Sequence, residues 1–421
     1  MRRPGYVRRR AAILWDRYGL TPSKAASRIE SLIATLAEHG CAPTLPTPGQ
    51  VVQRYPKFIR HLQSEGAEIA LHGYHHVDLG AYPTAEAEEQ LRKAIEIFSQ
   101  HGIEAYGFRC PYLSCTDDLL DALPQGMFEY SSNRAIWWDV VSPSDAGSVA
   151  PLFDVPQAFY KAKSALEVVC VPCTHSNMFE IPVCVPDDLQ LHDGLQLGTE
   201  GMTQAWSQIL HRTHQRGELF TLLFHPELAS RCEQSLVAVL GEAERLHPSV
   251  WIARLRDIGS WWQEKSSFGV AISHSAETMH LSFVCSERAT ILVRGLDAGG
   301  SERAWDESYY QLSTKELDIP AEPRPFVGLP ASTPEQTVSF LQEQGYILDS
   351  GETATSCGTY IDAATLARVT TEVELINHIE ASAGPLVRYW RWPDGAKSAM
   401  CVTGDLDALT LLDYASRLLA R

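Results

Sequence analysis

The sequence predicts an α/β protein built on a parallel sheet or an α/β barrel. Up to about residue 265, apolar runs of strand length alternate with helical stretches; AEIAL, for example, comes before a predicted helix at residues 84–101. Alternation of this kind is typical of parallel strands joined by helices. Four of the apolar runs are followed directly by a polar residue: His72, Arg109, His225 and Asp405. Active-site residues of α/β barrels occupy such positions, at the C-terminal ends of strands.

The length of 421 residues exceeds what a single core usually serves, so we expect more than one structural unit. Residues 1–265 carry the alternating pattern. Residues 266–385 predict an accessory module, with short β runs first and then helices at about 334–344 and 363–379. Residues 386–421 contain an apolar strand that ends in Asp405 and Asp407.

Composition excludes several classes of protein. The formal net charge of −17 argues against a nucleic-acid binder, which needs clustered Lys and Arg for phosphate contacts. No stretch approaches the ~20 apolar residues of a membrane span. The basic start has an apolar core of only residues 11–15, too short for a secretory signal. Ten cysteines without a compact framework indicate reduced thiols, and we expect a cytoplasmic protein.

The segment LHGYHHVD is the strongest local motif. His72 and His76 are four residues apart, so on a helical turn both imidazoles project to one side and can share a metal ion. The alternative is that they are packing or surface histidines. His75 is offset by one residue and points elsewhere. With the strand-end residues, the set offers two His and a carboxylate for a divalent metal, a second carboxylate as base, an Arg to hold that base, and a His as acid.

The motifs together resemble the polysaccharide deacetylases, the NodB-type carbohydrate esterases. LHGYHHVD resembles their His-x-x-x-His motif, FRCPY their Arg-x-Pro-Tyr motif, and LLFHPE their late strand ending in Leu-x-His or Leu-His. TGDLDA resembles the Asp-x-Asp variant of their first motif. The resemblance implies a distorted (β/α) barrel of 7–8 strands, and residues 30–265 run in family order.

The order of the motifs departs from the family in one respect. The aspartate motif opens the family's domain but here lies at residues 403–408, near the end of the chain. The resemblance therefore implies a circular permutation in which residues 386–421 supply the first strand and helix of the barrel. The alternative is a second, truncated copy of the domain that completes the site of a partner in a homodimer.

The resemblance also implies a role for each residue of the site. Asp407, His72 and His76 would bind one divalent metal, with zinc expected and cobalt, nickel or manganese as alternatives. Asp405 would be the general base, although the Asp-x-Asp spacing leaves the assignment of base and ligand between the two aspartates open. Arg109 would hold Asp405. The backbone N–H of Tyr112 would stabilise an oxyanion, and His225 would protonate the leaving amine.

Structural alternatives exist for several of these residues. Arg109 could be a structural ion-pair partner, Tyr112 a rim aromatic and His225 a helix cap. Two further predictions concern the strand that ends in WWD. Asp139 stands where the family has an acid that orients the catalytic His, and the rings of Trp137 and Trp138 suit either stacking on sugars or packing.

A second group of possible zinc ligands is Cys170, Cys173, His175 and Cys184. Because no second C-x-x-C accompanies it, buried thiols are the favoured interpretation.

The function expected is a metal-dependent hydrolase that removes N-acetyl groups from an N-acetylated sugar or polysaccharide. Hydrolysis of another non-peptide C–N bond, in a small cyclic amide, is one alternative. The other is an inactive carbohydrate-binding barrel, against which the second carboxylate, Asp405, argues.

Overall fold

The computed structural model describes residues 14–141, 160–275, 277–300 and 302–416. Its α-helices are α1 Ser23–Glu38, α2 Gly49–Arg54, α3 Pro56–Ser64, α4 Thr84–Gln100, α5 Asp117–Ala122, α6 Thr199–Arg216, α7 Ala229–Ala243, α8 Leu255–Lys265, α9 Glu335–Glu343, α10 Ala363–Arg368, α11 Glu372–Glu380 and α12 Leu411–Ser416. A π-helical segment spans Leu189–Gly194. None of the helices in the described ranges is long and apolar enough to cross a membrane.

The strands up to residue 265 are β1 Thr44–Thr47, β2 Glu68–Leu71, β3 Gly107–Phe108, β4 Tyr130–Ser131, β5 Ala135–Trp137, β6 Lys163–Ser164, β7 Cys173–His175, β8 Met178–Glu180, β9 Val183–Val185, β10 Leu219–Phe224 and β11 Val250–Ile252. The later strands are β12 Gly269–His274, β13 Thr278–Val284, β14 Ile291–Arg294, β15 Glu302–Ala304, β16 Tyr310–Leu312, β17 Glu316–Pro320, β18 Arg324–Gly328, β19 Leu348–Asp349, β20 Cys357–Tyr360, β21 Leu386–Tyr389 and β22 Ser398–Gly404.

Twelve strands form one curled sheet, which confirms the predicted α/β barrel type. Their order is β6-β5-β9-β10-β22-β1-β2-β3-β4-β8-β7, with β11 paired to β22. All pairings are parallel except that of β7 with β8. The count exceeds the 7–8 strands expected for two reasons. Strands β4 and β5 are two short pieces of one extended segment, as are β8 and β9. Strands β6 and β7 are short additional strands.

The last strand, β22, lies inside this sheet rather than at its edge. It pairs in parallel with β10, from Leu219 opposite Ala399 to Phe224 opposite Gly404, and with β1 through Thr44 and Thr403. All seven residues of β22 are buried. Because the three strands are parallel, their C-terminal ends meet at one edge of the sheet. The chain therefore closes its own barrel with its C-terminal strand.

Helix α1 shows how the sequence pattern positions the helices around the sheet. Ile29, Leu32, Ile33 and Leu36 recur at helical spacing, and all four are buried. The helix ends before Gly40, whose φ of 62° is the left-handed conformation that glycine adopts at low cost. Burying this apolar stripe fixes the helix against the barrel.

The accessory region contains three small sheets: β12-β13-β17, β15-β16-β14-β21 and β19-β18-β20. Strand β21 pairs antiparallel with β14, so the part of the 386–421 segment that joins the barrel begins at Ser398. The helix expected over residues 363–379 is divided into α10 and α11. Thr371 ends the connection between them, accepting from the N–H of Glu374 in a capping box, which starts a new helix.

Candidate active site

The polar residues singled out at strand ends meet at one edge of the curled sheet. His72 follows β2, Arg109 follows β3, His225 follows β10 and Asp405 follows β22. The N–H of Asp405 donates to the carbonyl oxygen of Phe224 over 3.0 Å, which places the aspartate segment beside His225. Parallel pairing thus brings together four residues that are dispersed in the sequence.

His72, His76 and Asp407 form a compact, buried group. Nε2 of His76 lies 2.9 Å from Oδ1 of Asp407, and Nε2 of His72 lies 3.8 Å from the same oxygen. Their candidate ligand atoms all lie within 4.8 Å of one another, and no other group of this kind occurs among the described residues. The two histidines lie in a loop of bends, not on the helical turn expected, and Gly73 has a φ of 70°. The loop brings the rings to 5.1 Å between centroids.

The hydrogen bonding of His72 fixes which of its nitrogens can act as a ligand. Its Nδ1 lies 2.8 Å from the carbonyl oxygen of Arg109 and therefore donates its proton there. Burial lowers the pKa of His72 to about 4, so the ring is neutral and Nε2 carries a lone pair. Nε2 has no hydrogen-bond partner among the described residues and faces carboxylate oxygens of Asp405 and Asp407, both at 3.8 Å.

This arrangement fits a divalent cation. A buried lone pair that faces two carboxylates is unfavourable unless a positive charge lies between them. Two imidazole nitrogens and one carboxylate are a ligand set of catalytic zinc sites, and a carbonyl acceptor on the second ring nitrogen is the usual support of a metal-bound histidine. The residues present therefore suit a metal of this class.

Asp405 has a different environment from Asp407. Nη1 of Arg109 donates to Oδ1 of Asp405 over 2.8 Å. The guanidinium is fully buried, and its remaining hydrogen bonds go to the hydroxyl oxygen of Thr403 and to the carbonyl and hydroxyl oxygens of Ser132. Arg109 is thus held on several sides, and one oxygen of Asp405 is fixed while the other faces His72.

His225 is oriented by Asp188. Its Nδ1 lies 2.8 Å from Oδ1 of Asp188, and its backbone N–H donates to Oδ2 of the same carboxylate over 2.9 Å. Although burial lowers the pKa of His225, the Asp188 carboxylate outweighs burial and raises it to about 10. The imidazole is therefore protonated at neutral pH, and with Nδ1 engaged, Nε2 is the nitrogen available to a substrate.

The prediction of Asp139 as the orienting acid is corrected by this contact. Asp139 is exposed, and its carbonyl oxygen accepts a hydrogen bond from Arg212. Asp188 follows β9 in the segment VPDD, so the strand-end pattern that identified His225 could also have identified it. Next to it, burial and the neighbouring Asp188 charge raise the pKa of Asp187 to about 7.

The structure does not present the tryptophan pair as a sugar platform. Trp138 is 1% exposed, lies in the barrel core and is contacted by the guanidinium of Arg216 at 5.4 Å from the ring centroid. Trp137 is also buried in this core. Packing, the alternative interpretation, accounts for both rings, because a stacked sugar needs an accessible face.

Tyr112 lies beside the metal-capable group. Its half-buried ring meets that of His76 edge-on, with centroids 4.7 Å apart. Its backbone has a φ of 62°, a conformation that side-chain-bearing residues rarely adopt. Such backbone conformations are concentrated at functional sites.

The second candidate zinc group does not assemble. Cys170 and Cys184 are buried with their sulfurs 3.6 Å apart, whereas Cys173 accepts a hydrogen bond from Arg134. None of these three cysteines forms a disulfide bond.

A cavity of about 1130 Å³ borders the active-site edge through Leu113 and Tyr160, but neither aspartate of the TGDLDA segment lines it.

Residues 8–130 match the family model "polysaccharide deacetylase". The matched range contains His72, His76 and Arg109 and ends before His225 and Asp405. No curated protein matches the sequence.

Three solved structures resemble parts of this chain. A protein assigned as a polysaccharide deacetylase from Mycobacterium smegmatis is 20% identical, with a TM-score of 0.43, over 57% of this chain and 77% of its own. The allantoinase PuuE is 19% identical, with a TM-score of 0.42, over 57% of this chain and 72% of its own. A family 4 carbohydrate esterase from Streptomyces lividans, in complex with acetate, is 16% identical, with a TM-score of 0.29, over 51% and 78%.

Proposed function

We propose that this protein is a metal-dependent hydrolase that removes N-acetyl groups from an N-acetylated sugar or polysaccharide. The observation that carries the proposal is that two aspartates of one loop contact different residues. Asp407 turns an oxygen to His76 and His72, while Asp405 is bound by Arg109. In this proposal one carboxylate belongs to a metal-ligand set, and the other, held by Arg109, is the base beside it.

The roles follow from these positions. A divalent cation held by His72, His76 and Asp407 would make an attached water acidic enough to attack an amide at neutral pH. Asp405 accepts the proton of the attacking water through the oxygen that faces the site. The new C–O bond forms as the carbonyl becomes an oxyanion, which the backbone N–H of Tyr112 stabilises.

His225 completes the reaction. Its imidazolium, held by Asp188 at Nδ1, donates the Nε2 proton to the leaving nitrogen as the C–N bond breaks. The products are acetate and a free amine. An acid of raised pKa suits this step, because the leaving nitrogen must be protonated before it departs.

The test is acetate release from acetylated chito-oligosaccharides by wild type and by Asp405→Asn. We expect the loss of the base to reduce kcat by roughly 10²–10⁴-fold. Glu30→Gln, a change at an exposed helix residue, is the matched control and should retain activity. Equal activity of wild type and Asp405→Asn would contradict the mechanism.

Two further outcomes identify the alternatives. Turnover of a small cyclic amide, without acetate release from any acetylated sugar, would indicate a different C–N bond as the substrate. Saturable binding of the oligosaccharide without turnover would indicate a carbohydrate-binding barrel that has lost catalysis.

A circular permutation accounts for the order of the motifs in this proposal. It is supported by the position of β22 between β10 and β1 and by the proximity of the segments nearest the two termini. Gly19 forms a parallel bridge with Thr410, and the rings of Tyr18 and Tyr414 lie 5.5 Å apart. A permuted barrel requires that the segments near its two termini lie close together in this way.

A further inference from the structure

An arginine from the N-terminal segment contacts the proposed metal ligand. Nη2 of Arg17 donates to Oδ2 of Asp407 over 3.2 Å, while Oδ1 of the same carboxylate lies 2.9 Å from Nε2 of His76. The two oxygens of Asp407 therefore have different environments, one on the histidine side and one on the arginine side.

Arg17 is itself held in place by Glu227. Nε of Arg17 donates to Oε1 of Glu227 over 2.8 Å, and the hydroxyl of Tyr18 donates to the same oxygen over 3.0 Å. The Glu227 side chain is fully buried, and that of Arg17 is 8% exposed. Because arginine stays protonated in proteins, the guanidinium forms a buried ion pair with the Glu227 carboxylate.

We propose that Arg17 is a positioning residue of the metal site. By holding Oδ2 of Asp407, it turns Oδ1 toward His72 and His76 and presents a single oxygen for coordination. The inference rests on the proposed function, because it takes Asp407 as a metal ligand. It adds a supporting residue that no motif of the sequence marks.

The physical reason lies in the freedom of a carboxylate. A buried Asp side chain without a second partner can rotate about χ2 and offer both oxygens, which alters the coordination number of the site. A guanidinium fixes the plane of the carboxylate because its donors have a rigid geometry. Partners of this kind behind a ligand typically contribute 10–100-fold to metal affinity.

The experiment measures zinc affinity by chelator competition and the visible absorption of the cobalt-substituted protein. We expect Arg17→Met to lower zinc affinity about 10–100-fold and to change the cobalt spectrum. Arg17→Lys keeps the charge but not the planar fork, and should give an intermediate loss. Arg28→Met is the matched control, because Arg28 donates to the carbonyl oxygen of Glu227 and to Asp16 but reaches neither oxygen of the Glu227 carboxylate.

The outcomes separate this inference from the function on which it rests. The role of Arg17 is overturned if Arg17→Lys and Arg17→Met bind zinc as tightly as wild type and leave the cobalt spectrum unchanged. For this outcome to count, wild type must bind zinc and His72→Ala must abolish binding. If wild type itself binds no divalent metal, the proposed function fails first. Should Arg17→Met not fold, the zinc affinity of folded Arg17→Lys decides.

Discussion

The backbone N–H of Leu406 donates to the carbonyl oxygen of Pro46 over 2.9 Å, although the two residues lie near opposite ends of the sequence. Asp405 and Asp407 flank Leu406, so this bond fixes the level of both carboxylates relative to the sheet. A segment that follows the accessory region in the sequence is thereby placed within contact distance of histidines that precede it.

The two aspartates should differ in their effect on metal binding. We expect Asp407→Asn to lower zinc affinity by more than the roughly 10–100-fold typical of supporting residues, because it removes a proposed direct ligand. Asp405→Asn should retain the metal and lose turnover. Chelator competition and acetate release, measured on the same preparations, check both. The reverse pattern would exchange the roles of the two residues.

The alkaline limit of activity should depend on Asp188. In the proposed mechanism His225 is the acid and must be protonated. Burial lowers its pKa, but Asp188 outweighs burial and raises it to about 10, so activity should persist until the pH approaches that value. Asp188→Asn removes the charge and should move the alkaline limb of the kcat profile down by about 1–3 pH units. Asp139→Asn, at the exposed carboxylate, is the control and should leave the profile unchanged.

The same pair should contribute to stability over a defined pH window. The folded-state pKa of His225 lies above the ordinary value of 6.5, so its contribution is fully present below pH 6.5 and is lost as the pH rises toward about 10. Denaturant unfolding at a series of pH values gives the free energy of unfolding of wild type and of Asp188→Asn. The difference between the two free energies should narrow as the pH rises across this window. A difference that widens with pH would contradict the assignment.

Completion of the site within one chain predicts no complementation between variants. His72→Ala and Asp407→Ala each lack one proposed ligand, and in the folded chain Nε2 of His72 lies 3.8 Å from Oδ1 of Asp407. Mixtures of the two proteins, refolded together, should therefore remain inactive. Recovery of a substantial part of wild-type activity would show that the C-terminal strand completes the site of a partner.

A permuted gene should encode a folded protein. Opening the chain at the exposed Ala383 and joining residue 421 to residue 1 through a flexible linker would restore the family order of the motifs. We expect this variant to retain zinc affinity and cooperative unfolding, because Gly19 and Thr410 are already bridged. An insoluble or metal-free product would argue against the permutation.

The core tryptophan should affect stability and not substrate affinity. Trp138→Ala removes a fully buried ring, which typically lowers the free energy of unfolding by about 3–5 kcal/mol. Trp15, which is 61% exposed, provides the matched control, and its replacement should cost little. Thermal unfolding and KM for the oligosaccharide separate the two roles, since a sugar platform would raise KM without a loss of stability.

The strand-end pattern is what made the fold and much of the site predictable. A polar side chain directly after an apolar run is a local signal, and parallel pairing converts several such signals into one cluster. Asp188 carries the same signal, but the resemblance to the family points to Asp139 instead. Sequence spacing does not reveal which of two carboxylates faces His225, because that depends on how β5 and β9 lie against β10.

Arg17 illustrates the limit of sequence reasoning more sharply. It lies in a basic segment with several other arginines, and nothing local distinguishes it. Its contact with Asp407 exists only because β22 enters the sheet beside β1 and the N-terminal segment packs over that edge. The division of the helix expected at residues 363–379 was equally hidden, since the cap of Thr371 competes with continuation of the helix.

The place of β22 in the sheet also sets the order of events during synthesis. Strands β1 and β10 emerge from the ribosome long before β22, and the accessory region is made in between. Until β22 arrives, the facing edges of β1 and β10 lack their shared neighbour, which is the condition that favours pairing with other chains. We therefore expect the nascent barrel to be more prone to aggregation before its central strand is made than after.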